Sequence, residues 1–143
     1  MRSRSRRSPR PRRTWCEDQV TGLQPLVSVV DDDESVRESL PVFLAVCGFP
    51  VEAFASAEEF LASADLDRTR CLIVDIAMPG MTGPELGQEL RRLRREIPIV
   101  YVTALRDESV RPRMLAHGAV DCLFKPFSET ALLDAVATAL RGR

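Results

Sequence analysis

With 143 residues, of which 45% are hydrophobic, the chain is long enough for one globular domain and a short extension. No apolar run reaches the roughly 18 residues that a membrane-spanning helix needs, so no membrane association is expected. The formal net charge of -1 is the sum of two regions of opposite charge, because residues 1–13 contain seven arginines and no acid, whereas 19 acids and 13 bases follow from Leu26 onward. The acidic charge of the second region disfavours nonspecific binding to nucleic acid.

Residues 1–24 form an extension rich in Arg, Ser and Pro, without apolar periodicity, which is typical of a disordered tail. Such a tail could contact phosphate backbones, but a dispensable extension is the favoured interpretation. No apolar segment follows the arginines, so a secretory signal is not expected and a cytoplasmic location is predicted. The four cysteines are then expected to be reduced, packed thiols; they are Cys16, Cys47, Cys71 and Cys122.

From residue 25 onward, short apolar runs alternate with helical patterns, which is typical of an α/β fold. Five strands are predicted at residues 26–30, 49–55, 71–75, 97–102 and 120–124. Five helices are predicted at about residues 34–46, 56–64, 82–95, 107–117 and 128–140. Because consecutive parallel strands require right-handed crossovers, we expect a doubly wound, five-stranded parallel sheet with the flavodoxin-like order 2-1-3-4-5.

Two of these helices have sequence features that predict the positions of particular side chains. The helix at 82–95 is expected to present Leu86, Leu90 and Leu93 to the sheet. The helix at 107–117 has the weakest pattern, because Pro112 lacks a backbone donor and fits only near the first turn. His117 precedes a glycine at the end of this helix, and a C-terminal capping role is favoured over catalysis.

Charged and hydroxyl side chains follow four of the predicted strands; they are Asp31 and Asp32, Asp75, Thr103 and Lys125. The carboxyl ends of these strands meet at one edge of the sheet, where such folds bind ligands. Close carboxylates repel by about 4 kcal/mol per pair at 4 Å with an effective dielectric near 20, and Mg²⁺ would relieve that repulsion. Lys125, the only lysine among 20 basic residues, and Thr103 could bind the oxygens of a phosphoryl group. Asp75 could then act as an oxygen nucleophile that forms an aspartyl phosphate.

Four motifs occur in order; they are Val29-Val30-Asp31-Asp32-Asp33, Val74-Asp75-x-x-Met78-Pro79-x-Met81-x-Gly83, Val102-Thr103-Ala104 and Gly118-Ala119-Val120-Asp121-x-x-x-Lys125-Pro126-Phe127. Over residues 26–141 the chain resembles the receiver domain of two-component response regulators, with motifs closest to receivers that precede helix-turn-helix output domains. The resemblance implies that residues 25–143 form a receiver domain. Its function would be that of a phosphorylation-dependent signalling switch, not an enzyme, that accepts a phosphoryl group from a histidine kinase.

The resemblance also implies the metal ligands. Asp32 and Asp75 would bind Mg²⁺ directly, together with the backbone carbonyl of Ala77, and Asp31 would act mainly through metal-bound water.

The phosphoryl group would have its own set of residues. Asp75 would accept it, Thr103 would hydrogen-bond it and move on activation, and Lys125 would pair with it. Pro126 would follow a cis peptide bond that positions Lys125.

The resemblance places the partner or dimer surface on helix four, strand five and helix five. Three residues before Lys125 the family usually has an aromatic ring, but this chain has Cys122, so we expect the loop after strand four and helix four to change without an aromatic rotamer switch there. The chain ends 17 residues after Pro126, which leaves no room for an output domain and predicts a stand-alone receiver or a fragment.

Three other functions are alternatives. An aspartyl-phosphate phosphatase or phosphotransferase on a related sheet would generally have a second acid two residues after the nucleophile, where this chain has Ala77. A nucleotide-binding module would need glycines in the first strand-to-helix turn, and that turn instead carries carboxylates that repel a pyrophosphate. A nucleic-acid binder would depend on the Arg-rich tail alone.

Overall fold

The computed structural model of the protein describes residues 25–141, in which parallel strands alternate with helices. The strands are β1 Leu26–Val30, β2 Val51–Phe54, β3 Thr69–Asp75, β4 Ile99–Thr103 and β5 Asp121–Phe124. The helices are α1 Glu34–Val46, α2 Ala57–Ala62, α3 Gly83–Arg92, α4 Val110–Ala116 and α5 Glu129–Arg141, with a 3₁₀ helix at Ala64–Arg68. The predictions for residues 1–24, including Cys16, lie outside the described residues.

Strand pairing confirms the predicted α/β fold and its order β2-β1-β3-β4-β5, with every neighbouring pair parallel. At the carboxyl edge Val30 of β1 lies opposite Val74, and Asp75 of β3 lies opposite Val102. Thr103, the last residue of β4, lies opposite Phe124. The strand ends are therefore level, and the side chains that follow them converge at one edge of the sheet.

Two apolar layers cover the sheet, one on each face. The layer formed with α1 and α5 contains Leu44 and Leu132, and the layer formed with α2, α3 and α4 contains Phe60 and Leu86. Successive residues of β3 enter the two layers in turn, as expected for a strand with period-two geometry that is covered on both faces. This explains why the predicted central strand is an unbroken apolar run.

Side chains cap four of the five helices at their amino ends. At α5 the Ser128 hydroxyl accepts from the Ala131 amide at 3.0 Å. Asp33 accepts from the amide of Ser35 at α1, Ser56 from that of Glu59 at α2, and Thr82 from that of Glu85 at α3. In α3 the Glu85 side chain also accepts from the Thr82 amide, which completes a capping box. Satisfying these otherwise unpaired donors stabilises each helix by roughly 1 kcal/mol.

Helix α4 lacks this support. No side chain caps its amino end, where the Ser109 hydroxyl donates to Asp107 at 2.7 Å. Pro112 lies in its first turn, as the sequence predicts. His117 is its C-terminal cap, with Nδ1 2.7 Å from the Arg113 carbonyl oxygen, so the predicted capping role is confirmed.

Two predicted helix ends were wrong. Helix α3 ends at Arg92, not near residue 95, because Arg94 takes a left-handed conformation with φ of 62°, and Leu93 is consequently 39% exposed instead of facing the sheet. Helix α2 ends at Ala62, because the Ser63 hydroxyl accepts from the Asp65 amide at 2.9 Å and starts the 3₁₀ helix. None of the helices within residues 25–141 is long and apolar enough to cross a membrane.

Candidate functional site

The structure brings the predicted charged residues together at the carboxyl edge of the sheet. The Lys125 amine follows β5 and donates to Asp31 Oδ2 at 2.9 Å. The same amine lies 3.6 Å from Asp75 Oδ2 at the end of β3. Both carboxylates are buried, because Asp31 is fully enclosed and Asp75 is only 7% exposed. The crevice therefore holds one cation between two buried acids.

The three consecutive aspartates after β1 have different surroundings. Asp31 uses both carboxylate oxygens within the protein, because Oδ1 accepts from the Asp33 amide at 2.9 Å and Oδ2 accepts from Lys125. Asp32 is exposed. Asp33 caps α1 through Ser35, and these hydrogen bonds lower the pKa of its carboxyl. Only the first two aspartates belong to the site.

Carboxylate oxygens of Asp31, Asp32 and Asp75 lie within 4.8 Å of one another, a grouping that could hold a metal ion. Burial, and then the nearby charge of Asp31, raise the pKa of Asp75 from 3.8 to about 6, although Lys125 acts in the opposite direction. Burial disfavours the charge of Lys125, but the hydrogen bond and charge of Asp31 outweigh it, and the pKa of the amine is raised. The carboxylates of the site thus carry more negative charge than the Lys125 amine neutralises.

The loop after β3 is held close to Asp75. The amide of Ala77 donates to Asp75 Oδ1 at 3.2 Å, and the Gly83 amide donates to the Ile76 carbonyl at 3.0 Å. Glu58 on α2 accepts from the Met81 amide at 3.2 Å and so fixes the far side of the loop. No local sequence pattern predicts this role of Glu58, because the contact joins residues 23 positions apart.

Gly83 allows α3 to begin directly against the backbone of Asp75. A Cβ at this position would lie 2.5 Å from the Asp75 carbonyl oxygen, and backbone atoms cannot move away easily. We therefore expect Gly83→Ala to lower the free energy of unfolding by about 1–3 kcal/mol, as overpacking does elsewhere. Urea titration would measure this loss.

The control for this variant is Gln88→Ala, which changes an exposed residue of the same helix and is expected to be nearly neutral. Equal stability of Gly83→Ala and Gln88→Ala would contradict the close-approach account.

The remaining predicted residues lie around the crevice. Thr103 is 1% exposed, and its Oγ1 accepts from the Leu105 amide at 3.0 Å. The Lys125–Pro126 peptide bond is cis, as the resemblance implies. Two arginines that sequence analysis did not single out reach the backbone of the site, where Arg37 donates to the Asp31 carbonyl at 3.0 Å and Arg106 to that of Lys125 at 3.4 Å.

Within residues 25–141 the cysteines are free thiols; they are Cys47, Cys71 and Cys122. Burial raises the pKa of Cys71 to about 12 and also raises that of Cys122, which is 1% exposed on β5. Neither buried thiol has the lowered pKa of a reactive cysteine.

Known proteins are similar to this chain in sequence and in fold. A family model described as the response regulator receiver domain matches residues 27–137. Nodulation protein W of Bradyrhizobium diazoefficiens is 44% identical over 114 residues, which cover 80% of this chain and 50% of that protein. The transcriptional regulatory protein FixJ of Rhizobium meliloti is 40% identical over 113 residues, which cover 79% and 55% of the two chains.

The structure of the response regulator StyR matches with a TM-score of 0.76 and 45% identity over 82% of this chain and 60% of that one. The chain spans about half the length of the curated relatives it matches. Receiver domains are signalling domains of two-component systems. By its fold, its family match and its relatives, this chain belongs to the response regulator receiver domain family.

Proposed function

We propose that the chain is a phosphorylation-dependent switch in which Asp75 accepts a phosphoryl group from the phosphohistidine of a histidine kinase. A carboxylate oxygen of Asp75 forms the new bond to phosphorus as the bond from phosphorus to the imidazole nitrogen breaks, and the imidazole leaves with a proton from solvent. At most, the domain catalyses its own phosphorylation and dephosphorylation. The observation that carries the proposal is the pair of buried carboxylates, Asp31 and Asp75, around the chain's only lysine.

Lys125 and Thr103 supply donors for the phosphoryl oxygens. The Lys125 amine already lies 3.6 Å from Asp75, so a short movement suffices to pair it with a phosphoryl group there. The Thr103 oxygen accepts a hydrogen bond from an amide, which leaves its own O–H free to donate to a phosphoryl oxygen.

The carboxylates fit Mg²⁺, a hard cation that prefers oxygen ligands. Asp32 and Asp75 are proposed as direct ligands with the Ala77 carbonyl, since Asp32 is exposed and makes no hydrogen bond to residues 25–141. Asp31 is proposed to act through water, because both its oxygens already accept from protein donors. When bound, Mg²⁺ would offset the carboxylate charge and that of the incoming phosphoryl oxygens.

Phosphorylation is tested by intact mass. Incubation with acetyl phosphate and Mg²⁺ is expected to add one phosphoryl group to the wild type and none to Asp75→Asn, which keeps the shape of the side chain but is not a nucleophile. Asp134→Asn, an exposed substitution on α5, should label like the wild type. Equal labelling of Asp75→Asn and the wild type would refute the proposal.

The output is proposed to be a change in the surface formed by α4, β5 and α5, which would bind a second copy or an effector. Helix α4 has seven residues and no side-chain cap, and Arg111 ties it to Asp121 of β5 by an ion pair at 2.9 Å. A marginal helix of this kind can shift between two packings at low cost.

Amide NMR with Mg²⁺ and beryllofluoride, which mimics a phosphoryl group on Asp75, would test this output. Large shifts are expected across residues 103–125, which connect Thr103 through α4 to Lys125, with little change across residues 36–66. Shifts confined to the neighbours of Asp75 would show that the signal does not reach this surface.

A further inference from the structure

Tyr101 of β4 belongs to the apolar layer that lies between the sheet and helices α2, α3 and α4. It is the only tyrosine of the chain and is 4% exposed. Because side chains alternate along a strand, Tyr101 shares a face of the sheet with Thr103, two residues further along β4. On that face it belongs to the same apolar layer as Val110 and Met114 of α4. Tyr101 is therefore on the face of β4 that also carries Thr103, in the layer that contains α4.

Helix α3 has a gap at the position of the phenol. A Cβ on Gly87 would lie 2.6 Å from the Tyr101 hydroxyl oxygen, so no larger residue fits there without moving the ring. A glycine inside a helix costs roughly 1 kcal/mol relative to alanine, which is consistent with a packing role for this one. Tyr101 belongs to β4, which ends in Thr103, and its hydroxyl packs against α3. Helix α3 in turn begins at Gly83, beside the backbone of Asp75.

The neighbouring strand contributes a small side chain beside this ring. Cys122 of β5 is the cross-strand partner of Tyr101, and both lie in the same layer. In this cross-strand pair the large side chain therefore belongs to β4. The Tyr101 hydroxyl makes no hydrogen bond to residues 25–141, and it packs against Gly87 of α3.

We propose that Tyr101 is the positioning residue that couples Thr103 to the packing of α3 and α4. The inference rests on the proposed function: when Thr103 moves toward a phosphoryl group on Asp75, Tyr101 moves with β4 and repacks against Gly87 and α4. Tyr101 makes no contact with the phosphoryl group and takes no part in its transfer.

The single tyrosine makes a direct test possible. Protein with ¹³C-labelled tyrosine rings gives ring signals from Tyr101 alone, and these are expected to shift when Mg²⁺ and beryllofluoride are added. The same addition to Asp75→Asn should leave them unchanged. Ring signals that stay fixed while the Thr103 amide shifts would overturn this inference alone, whereas a Thr103 amide that fails to respond would overturn the proposed function as well.

Two substitutions separate coupling from chemistry. Tyr101→Leu removes the ring and is expected to take up a phosphoryl group from acetyl phosphate like the wild type, yet to show a several-fold smaller amide response in α4. Tyr101→Phe keeps the ring and should retain that response. Phe60→Leu is the matched control, because it truncates another fully buried ring of the same layer, on α2, and should leave the α4 response intact. A full amide response of α4 in Tyr101→Leu would refute the proposal. Loss of the α4 response in Phe60→Leu would refute it as well. If Tyr101→Leu does not fold, the ring signals of Tyr101 in the wild type decide the test.

Discussion

Asp75→Asn is expected to stabilise the metal-free fold by about 1–3 kcal/mol at pH 7.5, because burial and Asp31 make the charge of Asp75 unfavourable. The pKa of this carboxyl is about 6 in the folded protein against an ordinary value of 3.8. Between these values the folded state binds more protons than the unfolded state, so stability falls as pH rises to about 6 and then levels off. Asparagine does not ionise and avoids this loss.

Urea unfolding in EDTA between pH 5 and pH 8 measures the effect. The advantage of Asp75→Asn should be largest at the alkaline end and should shrink as pH falls below about 6. Asp134→Asn removes an exposed carboxyl and should show neither the gain nor the pH dependence. An Asp75→Asn protein less stable than the wild type at pH 7.5 would mean that Lys125 more than offsets the burial of Asp75.

Mg²⁺ is expected to raise the free energy of unfolding of the wild type by about 2.7 kcal/mol at a concentration one hundred times its Kd. Asp32→Ala should lose most of this gain, because it removes the proposed exposed ligand. The Asp32→Ala protein should still fold, because the Asp32 side chain is exposed and makes no hydrogen bond or ion pair with residues 25–141. Protonation of Asp75 competes with the metal, so the affinity should weaken as pH falls below about 6.

Thermal melts with Mg²⁺ and with EDTA decide this prediction. Glu38→Ala is the matched control, because it removes an exposed acid from α1 and should keep the wild-type response to Mg²⁺. The same Mg²⁺ shift in Asp32→Ala and Glu38→Ala would place the metal elsewhere.

The sequence carries enough information to predict the sheet and its functional edge. Buried parallel strands are continuous apolar runs with turn residues between them, so their number and order follow from local pattern and crossover rules. Once that order is set, Asp31, Asp75, Thr103 and Lys125 must lie at one edge, whatever the lengths of the helices. The structure places them there, with Lys125 between the two acids.

What local pattern could not predict depends on contacts between distant residues. The end of α3 follows from the left-handed conformation of Arg94. This conformation could not be predicted from the sequence, because it is usually adopted by glycine or asparagine. The loop after Asp75 is held by Glu58, which lies on another helix. The lack of a side chain at Gly87 is explained only by the Tyr101 hydroxyl, which packs against it. Such details decide how the site is held, but they do not determine where it is.

The central claim is that the side chain of residue 75 carries the phosphoryl group, and reduction of the labelled protein tests it most directly. Borohydride converts an aspartyl phosphate into homoserine, which marks the modified position in the peptide mass spectrum. After acetyl phosphate and Mg²⁺, homoserine is expected at position 75 and its yield should fall with EDTA. Homoserine at position 31 or 32, or a bound phosphoryl group that resists reduction, would contradict the assignment of Asp75 as the phosphoacceptor.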